Sequence, residues 1–158
     1  MTRLFSVLFT TSLAMLVSVA LVNAAATYNN NVTGSQTASA ERGGIALNLN
    51  ASGDLPGMLS LTLSHEGGKV TGGTWTLSVL PPNADASSSE TGRLTGRLTG
   101  GTLTLDANGI VTAANSVQLT VQNGTEKYAA ATGGNGTLSL TADPENSTKL
   151  GGPLALNF

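Results

Sequence analysis

The chain has 158 residues, no cysteine, twenty glycines, 4% aromatic residues and a formal net charge of −2. This length fits one domain. The missing thiols exclude a disulfide scaffold, thiolate metal sites and a cysteine nucleophile. The mild acidic balance excludes an electrostatic nucleic-acid binder, which needs a basic face.

The N-terminus reads Met1-Thr2-Arg3, followed by an uncharged apolar stretch over residues 4–22 and then Val22-Asn23-Ala24-Ala25-Ala26. A basic start, an apolar middle and small residues at −3 and −1 make a secretory signal, with cleavage expected between Ala24 and Ala25. Cleavage after Ala26 is the second option. The apolar stretch nearly has the length of a membrane anchor. Its five Ser and Thr residues and the small-residue site favour removal instead. Residues 1–24 are therefore read as a signal peptide. The protein is expected to be exported, either secreted or periplasmic, and the lack of cysteine leans towards a bacterial source. Residues 25–42 are polar and aperiodic and read as a flexible N-terminal arm.

From residue 43 onward the dominant signal is alternation. Leu59, Leu61 and Leu63 interleave with Ser60, Thr62 and Ser64, and Trp75, Leu77 and Val79 interleave with Thr76 and Ser78. The same pattern holds for Ile45, Leu47 and Leu49, for Leu103 and Leu105, for Val117, Leu119 and Val121, for Leu138 and Leu140, and for Leu154, Leu156 and Phe158. A period of two predicts strands with one buried and one wet face. Glu66-Gly67-Gly68-Lys69, Asp106-Ala107-Asn108-Gly109, Asn123-Gly124 and Gly100-Gly101 read as short links between antiparallel neighbours. Residues 81–90, which open with Pro81-Pro82, read as a long flexible loop. Eight or nine such strands predict an all-β domain over residues 43–158, a small antiparallel barrel, with a β-sandwich as the alternative.

Candidate chemistry is sparse. His65, the only histidine, sits beside Glu66 and a Gly-Gly turn and reads as a solvated turn residue without a spaced partner. There is no Gly-x-Ser-x-Gly elbow. The turns at Asp106 and Gly133 lack the ligand sets of calcium loops. No cofactor or metal is expected. Arg93 and Arg97 share the face opposite Leu94 and Leu98 and read as a solvated outer face. Five Asn-x-Ser/Thr sequons begin at Asn31, Asn50, Asn123, Asn135 and Asn146. The last strand ends in Phe158, as outer-membrane barrels often do, yet four aromatics after residue 24 are too few for two girdles. Membrane insertion is the disfavoured reading.

The stretch from Asn123-Gly124-Thr125-Glu126-Lys127-Tyr128 through Gly136-Thr137-Leu138 resembles the GGTGxYxGAxGxGTL segment of allene oxide cyclase and dirigent-like barrels. Together with Gly53-Asp54-Leu55-Pro56-Gly57-Met58-Leu59-Ser60-Leu61, it also resembles small exported bacterial proteins of unknown function. The resemblance implies a closed barrel of about eight antiparallel strands. The chain departs from the pattern at Asn123, Glu126 and Ala130, where the family prefers glycine, and carries one extra residue between Ala131 and Gly136. No catalytic or pocket polar residue of the family has a counterpart here, so the resemblance carries over no activity. The expected function is non-enzymatic, either a structural role or the binding of a small apolar ligand. Trp75 and Tyr128 are the candidate ligand contacts. An isomerase or stereochemistry-guiding barrel and a small outer-membrane barrel are the alternatives.

Overall fold

A computed structural model describes residues 25–40, 44–80 and 91–158. The expected signal peptide, with Ala24, and the expected loop over residues 81–90 lie outside the described residues. Eight strands close into one barrel: β1 (Thr27–Ala40), β2 (Gly44–Gly53), β3 (Gly57–Glu66), β4 (Lys69–Val79), β5 (Gly92–Leu105), β6 (Val111–Gly124), β7 (Asn135–Ala142) and β8 (Lys149–Asn157). Each strand is antiparallel to the next, and β1 pairs with β8 from Thr27↔Asn157 to Ser35↔Lys149. Closure leaves no free edge, and the sandwich alternative falls with it.

The alternation in the sequence becomes inside and outside. Register sets Leu49, Leu59, Leu77 and Leu94 side by side across four strands, and Leu47, Leu61, Trp75, Gly96 and Val121 form a second row. These side chains point inwards and are buried, as are Leu119, Leu138, Leu140, Leu154 and Leu156. Burying a Leu contributes roughly 1.5–3 kcal/mol. An eight-stranded barrel is just wide enough for such side chains to fill. The outer face carries rows such as Asn48, Ser60, Thr76, Thr95 and Asn123, again in register.

Three expectations are corrected. The expected arm over residues 25–42 is replaced, where described, by a strand: residues 41–42 lie outside the described residues, and Thr27–Ala40 closes the barrel between β2 and β8. Its inward positions alternate through Tyr28, Asn30, Val32, Gly34 and Gln36, of which two are polar and one has no side chain. The apolar period is therefore invisible although the geometric period is there. Asn123-Gly124 is not a hairpin turn but the end of β6, which pairs with Thr95 and Leu94 of β5. Gly100-Gly101 lies inside β5, where the β5–β6 register slips on both sides of Gly100. That pair makes a bulge in a 14-residue strand and not a link. By contrast, the two-residue turn at Gly67-Gly68 is present, with φ of 54° and 79°, which suits glycine at both positions.

The antiparallel order sends alternate connections to opposite ends. One end, called here the tight end, holds the Gly67-Gly68 turn, the Asp106 turn and the link from Asp143 to Thr148. The other, the cleft end, holds the β2–β3 link, the start of β1, the long β6–β7 connection and Phe158.

A candidate aromatic cleft at one end of the barrel

The β6–β7 connection is the longest described link, and it builds the site. After Gly124 the chain makes one 3-10 turn, Glu126–Tyr128, then returns to β7 at Asn135. The turn is entered through Glu126 at φ 55°. Hydrogen bonds from Thr125 N–H to Arg93 O, at 2.9 Å, and from Gly133 N–H to Val121 O, at 3.0 Å, tie both flanks of the connection back to β5 and β6. Two glycines make the fold-back possible. A Cβ on Gly92 would meet the Tyr128 ring at 2.6 Å, and one on Gly124 would run into the Tyr128 backbone. With neither present, Tyr128 lies against the barrel end, 7% exposed.

Two more aromatics converge there. Tyr28 on β1 stacks on Phe158 with ring centroids 4.6 Å apart and planes at 19°. Tyr128 meets Phe158 edge-on, at 6.3 Å and 85°. Offset stacks and T-shaped pairs suit the aromatic quadrupole. Gly134 keeps the approach to Phe158 open, since a Cβ there would fall 2.6 Å from Phe158 Cβ. Around the three rings lies a half-open cleft of about 550 Å³, walled also by Lys127, Ala131, Thr132 and Asn135. Its polar rim is partly self-satisfied. Thr27 Oγ1 donates to Asn157 Oδ1 at 2.7 Å, and Asn157 Nδ2 donates to Asn135 Oδ1 at 3.3 Å.

The two candidate contact residues part company. Tyr128 lines the cleft, whereas Trp75 sits in the packed interior at 2% exposure. The indole lies over Gly96 of β5 and reaches β6, where Nε1 donates to Thr120 O at 3.1 Å. Its polar atom is thus satisfied by the barrel itself. Tyr28 and Phe158 are not among the ligand contacts read from the sequence, where Phe158 figures only as the end of the last strand. The signal that would have found them is scarcity, because beyond residue 24 only four aromatics occur and three of them meet at one end. Ala25, the residue after the expected cleavage point, is exposed and also lines the cleft.

The remaining candidates gather no site. His65 is not a solvated turn residue. It is half-buried near the end of β3 at the tight end, and its Nδ1 is buried without a hydrogen-bond partner. Arg93 and Arg97 are exposed on the outer face of β5, as expected. Among the described residues, no three or more His, Asp or Glu side chains stand together to hold a metal. The carboxyl of Asp106 is held below its ordinary value of 3.8, chiefly by the N–H of Ile110 and also by that of Asn108, in a turn far from the cleft. No protein-family model, curated protein or solved structure matches this chain.

Proposed function

We propose that the protein is an exported, non-enzymatic barrel that holds a small apolar molecule in the aromatic cleft at its end. One observation carries this reading: Tyr28, Tyr128 and Phe158, three of the four aromatics beyond residue 24, share one half-open cleft. Small-molecule sites are concave, largely apolar and of roughly 300–1,000 Å³, and about 550 Å³ falls inside that range. The Leu-filled interior favours a site at the mouth over one in a lumen. Export rests on the basic start, apolar middle and small-residue site of residues 1–24. The polar outer rows favour water over lipid around the barrel wall, since a membrane barrel turns an apolar band outward.

The test is binding of the neutral fluorescent probe N-phenylnaphthylamine to the exported protein. Binding is expected, with Tyr28→Ala and Phe158→Ala each weakening it by about tenfold, or ~1.4 kcal/mol. Failure to bind, or binding that ignores both substitutions, contradicts the proposal. Turnover of a bound compound would instead support the isomerase-like alternative.

A further inference from the structure

We infer that Asn108, in the turn between β5 and β6, is a site of spontaneous deamidation, and that its conversion loosens the tight end of the barrel. The chain contains three Asn-Gly pairs, Asn108-Gly109, Asn123-Gly124 and Asn135-Gly136. Such a pair carries its own reaction. The backbone nitrogen of the glycine attacks the carbonyl carbon of the Asn side chain. The side-chain nitrogen leaves as ammonia, taking the proton of the glycine N–H, and a cyclic succinimide is left. Water then opens the ring at either carbonyl and leaves an aspartate or an isoaspartate. Glycine suits the reaction because it has no side chain to hinder the attack. The glycine amide must first swing free of its hydrogen bonds, so the surroundings decide which pair reacts.

The three pairs have different surroundings. Gly136 lies in the sheet, paired with Leu119 on one side and Leu156 on the other, and a Cβ on it would fall 2.5 Å from Ala155 O. Gly124 pairs with Leu94 of β5 and is pressed against the Tyr128 backbone. Gly109 stands in open space, with nothing within 4 Å of such a Cβ, and Asn108 beside it is exposed. The bond that holds the Gly109 N–H is a local one, to Asp106 O at 3.1 Å. A single turn opens at lower free energy than a ladder, whose residues open together with their neighbours.

Conversion matters at this turn because its groups are already committed. Asp106 Oδ1 accepts the N–H of Asn108 at 2.8 Å, and the Asn108 side chain donates to the same carboxylate. A carboxylate at position 108 removes that donor and sets a second negative charge against Asp106. An isoaspartate also adds a carbon to the main chain, which displaces Gly109 O from Gln36 Nε2, its partner at 3.4 Å. Gln36 is the side chain that ties this turn to β1, so the seal of the tight end weakens with it.

The experiment incubates the protein, residues 25–158, at mildly alkaline pH and follows each pair by peptide mass spectrometry. Asn108 is expected to convert at least about tenfold faster than Asn123 or Asn135, a margin that needs only ~1.4 kcal/mol between the two kinds of opening. In denaturant the three rates should converge, because the ladder no longer protects two of them. The incubated protein should melt at a lower temperature than the fresh protein. Asn108→Ser, checked as folded by circular dichroism and incubated in the same way, should keep its starting melting temperature. Equal conversion of the three pairs in the folded protein overturns the inference, and so does an Asn108 that stays intact while the denatured sample reacts. A converted protein that melts unchanged, or a loss that Asn108→Ser shares, overturns the link to the tight end.

Discussion

The two ends of this barrel are built from the same eight strands and finished in opposite ways. At the tight end the links are short and their residues are spent on the backbone. Gly67-Gly68 supplies two positive φ angles, and Asp106 accepts the N–H groups of Asn108 and Ile110, both at 2.8 Å. Gln36 reaches across from β1 to that same turn. Its Oε1 accepts from Val111 N–H at 3.0 Å and its Nε2 donates to Gly109 O at 3.4 Å. At the cleft end the long β6–β7 connection brings side chains, not backbone, to the surface. The exposed large hydrophobics among the described residues, Met58 and Leu80, belong to this end as well. The barrel thus closes one mouth with turn chemistry and carries an aromatic cleft at the other, the place where the proposed site lies on a loop held by a scaffold.

Four substitutions probe that division. The largest effect is expected at Trp75, which belongs to neither end. Trp75→Ala removes a buried indole and should cost about 3–5 kcal/mol in denaturant unfolding. The fraction that remains folded should still bind N-phenylnaphthylamine. Loss of binding without loss of stability would move the ligand into the barrel interior. Next comes Gly92→Val, which pushes into the Tyr128 ring. It should cost about 1–3 kcal/mol by overpacking and weaken the probe as well, because it dislodges one wall of the cleft. A variant that is destabilised but binds normally would separate Tyr128 from the site.

Gln36→Ala acts at the other mouth. It leaves Val111 N–H and Gly109 O without their side-chain partner and should cost about 1–3 kcal/mol. Probe affinity should not change, and a matching loss of affinity would show that the two ends are coupled. The smallest effect concerns Asp106. Its folded carboxyl titrates below the ordinary 3.8, so the unfolded state takes up the proton first as pH falls. The stabilisation it provides is therefore full above the unfolded value and is lost as pH drops through the folded one. Asp106→Asn should remove that acid-side loss from a series of melting curves. If the two proteins show the same pH profile, the backbone N–H bonds to Asp106 carry no weight.

The barrel was legible in the sequence wherever an inward position is apolar. Leu59, Leu61 and Leu63, or Val117, Leu119 and Val121, announce both the strand and its buried face. β1 was not legible, because Asn30 and Gln36 point inwards for polar reasons. Asn30 Oδ1 accepts from the buried Leu55 N–H at 2.7 Å and ties down the β2–β3 link, while Gln36 bridges the tight end. Turn residues were legible at Gly67-Gly68 and misleading at Asn123-Gly124. In the second case glycine is needed for the close approach of Tyr128, not for a positive φ. Of the cleft, Tyr128 was anticipated, but its meeting with Tyr28 and Phe158 depends on barrel closure. Those two residues are 130 positions apart and become neighbours only because β1 pairs with β8.

The most direct test of the cleft as the binding end is an amide chemical-shift titration of the isotope-labelled protein, residues 25–158, with N-phenylnaphthylamine. Shifts are predicted at Tyr28, across residues 125–134, and at Asn157 and Phe158, with the Gly67, Asp106 and Leu61 amides unmoved. Shifts centred on Leu61, Trp75 and Val121, or on the turns of the tight end, would contradict the account.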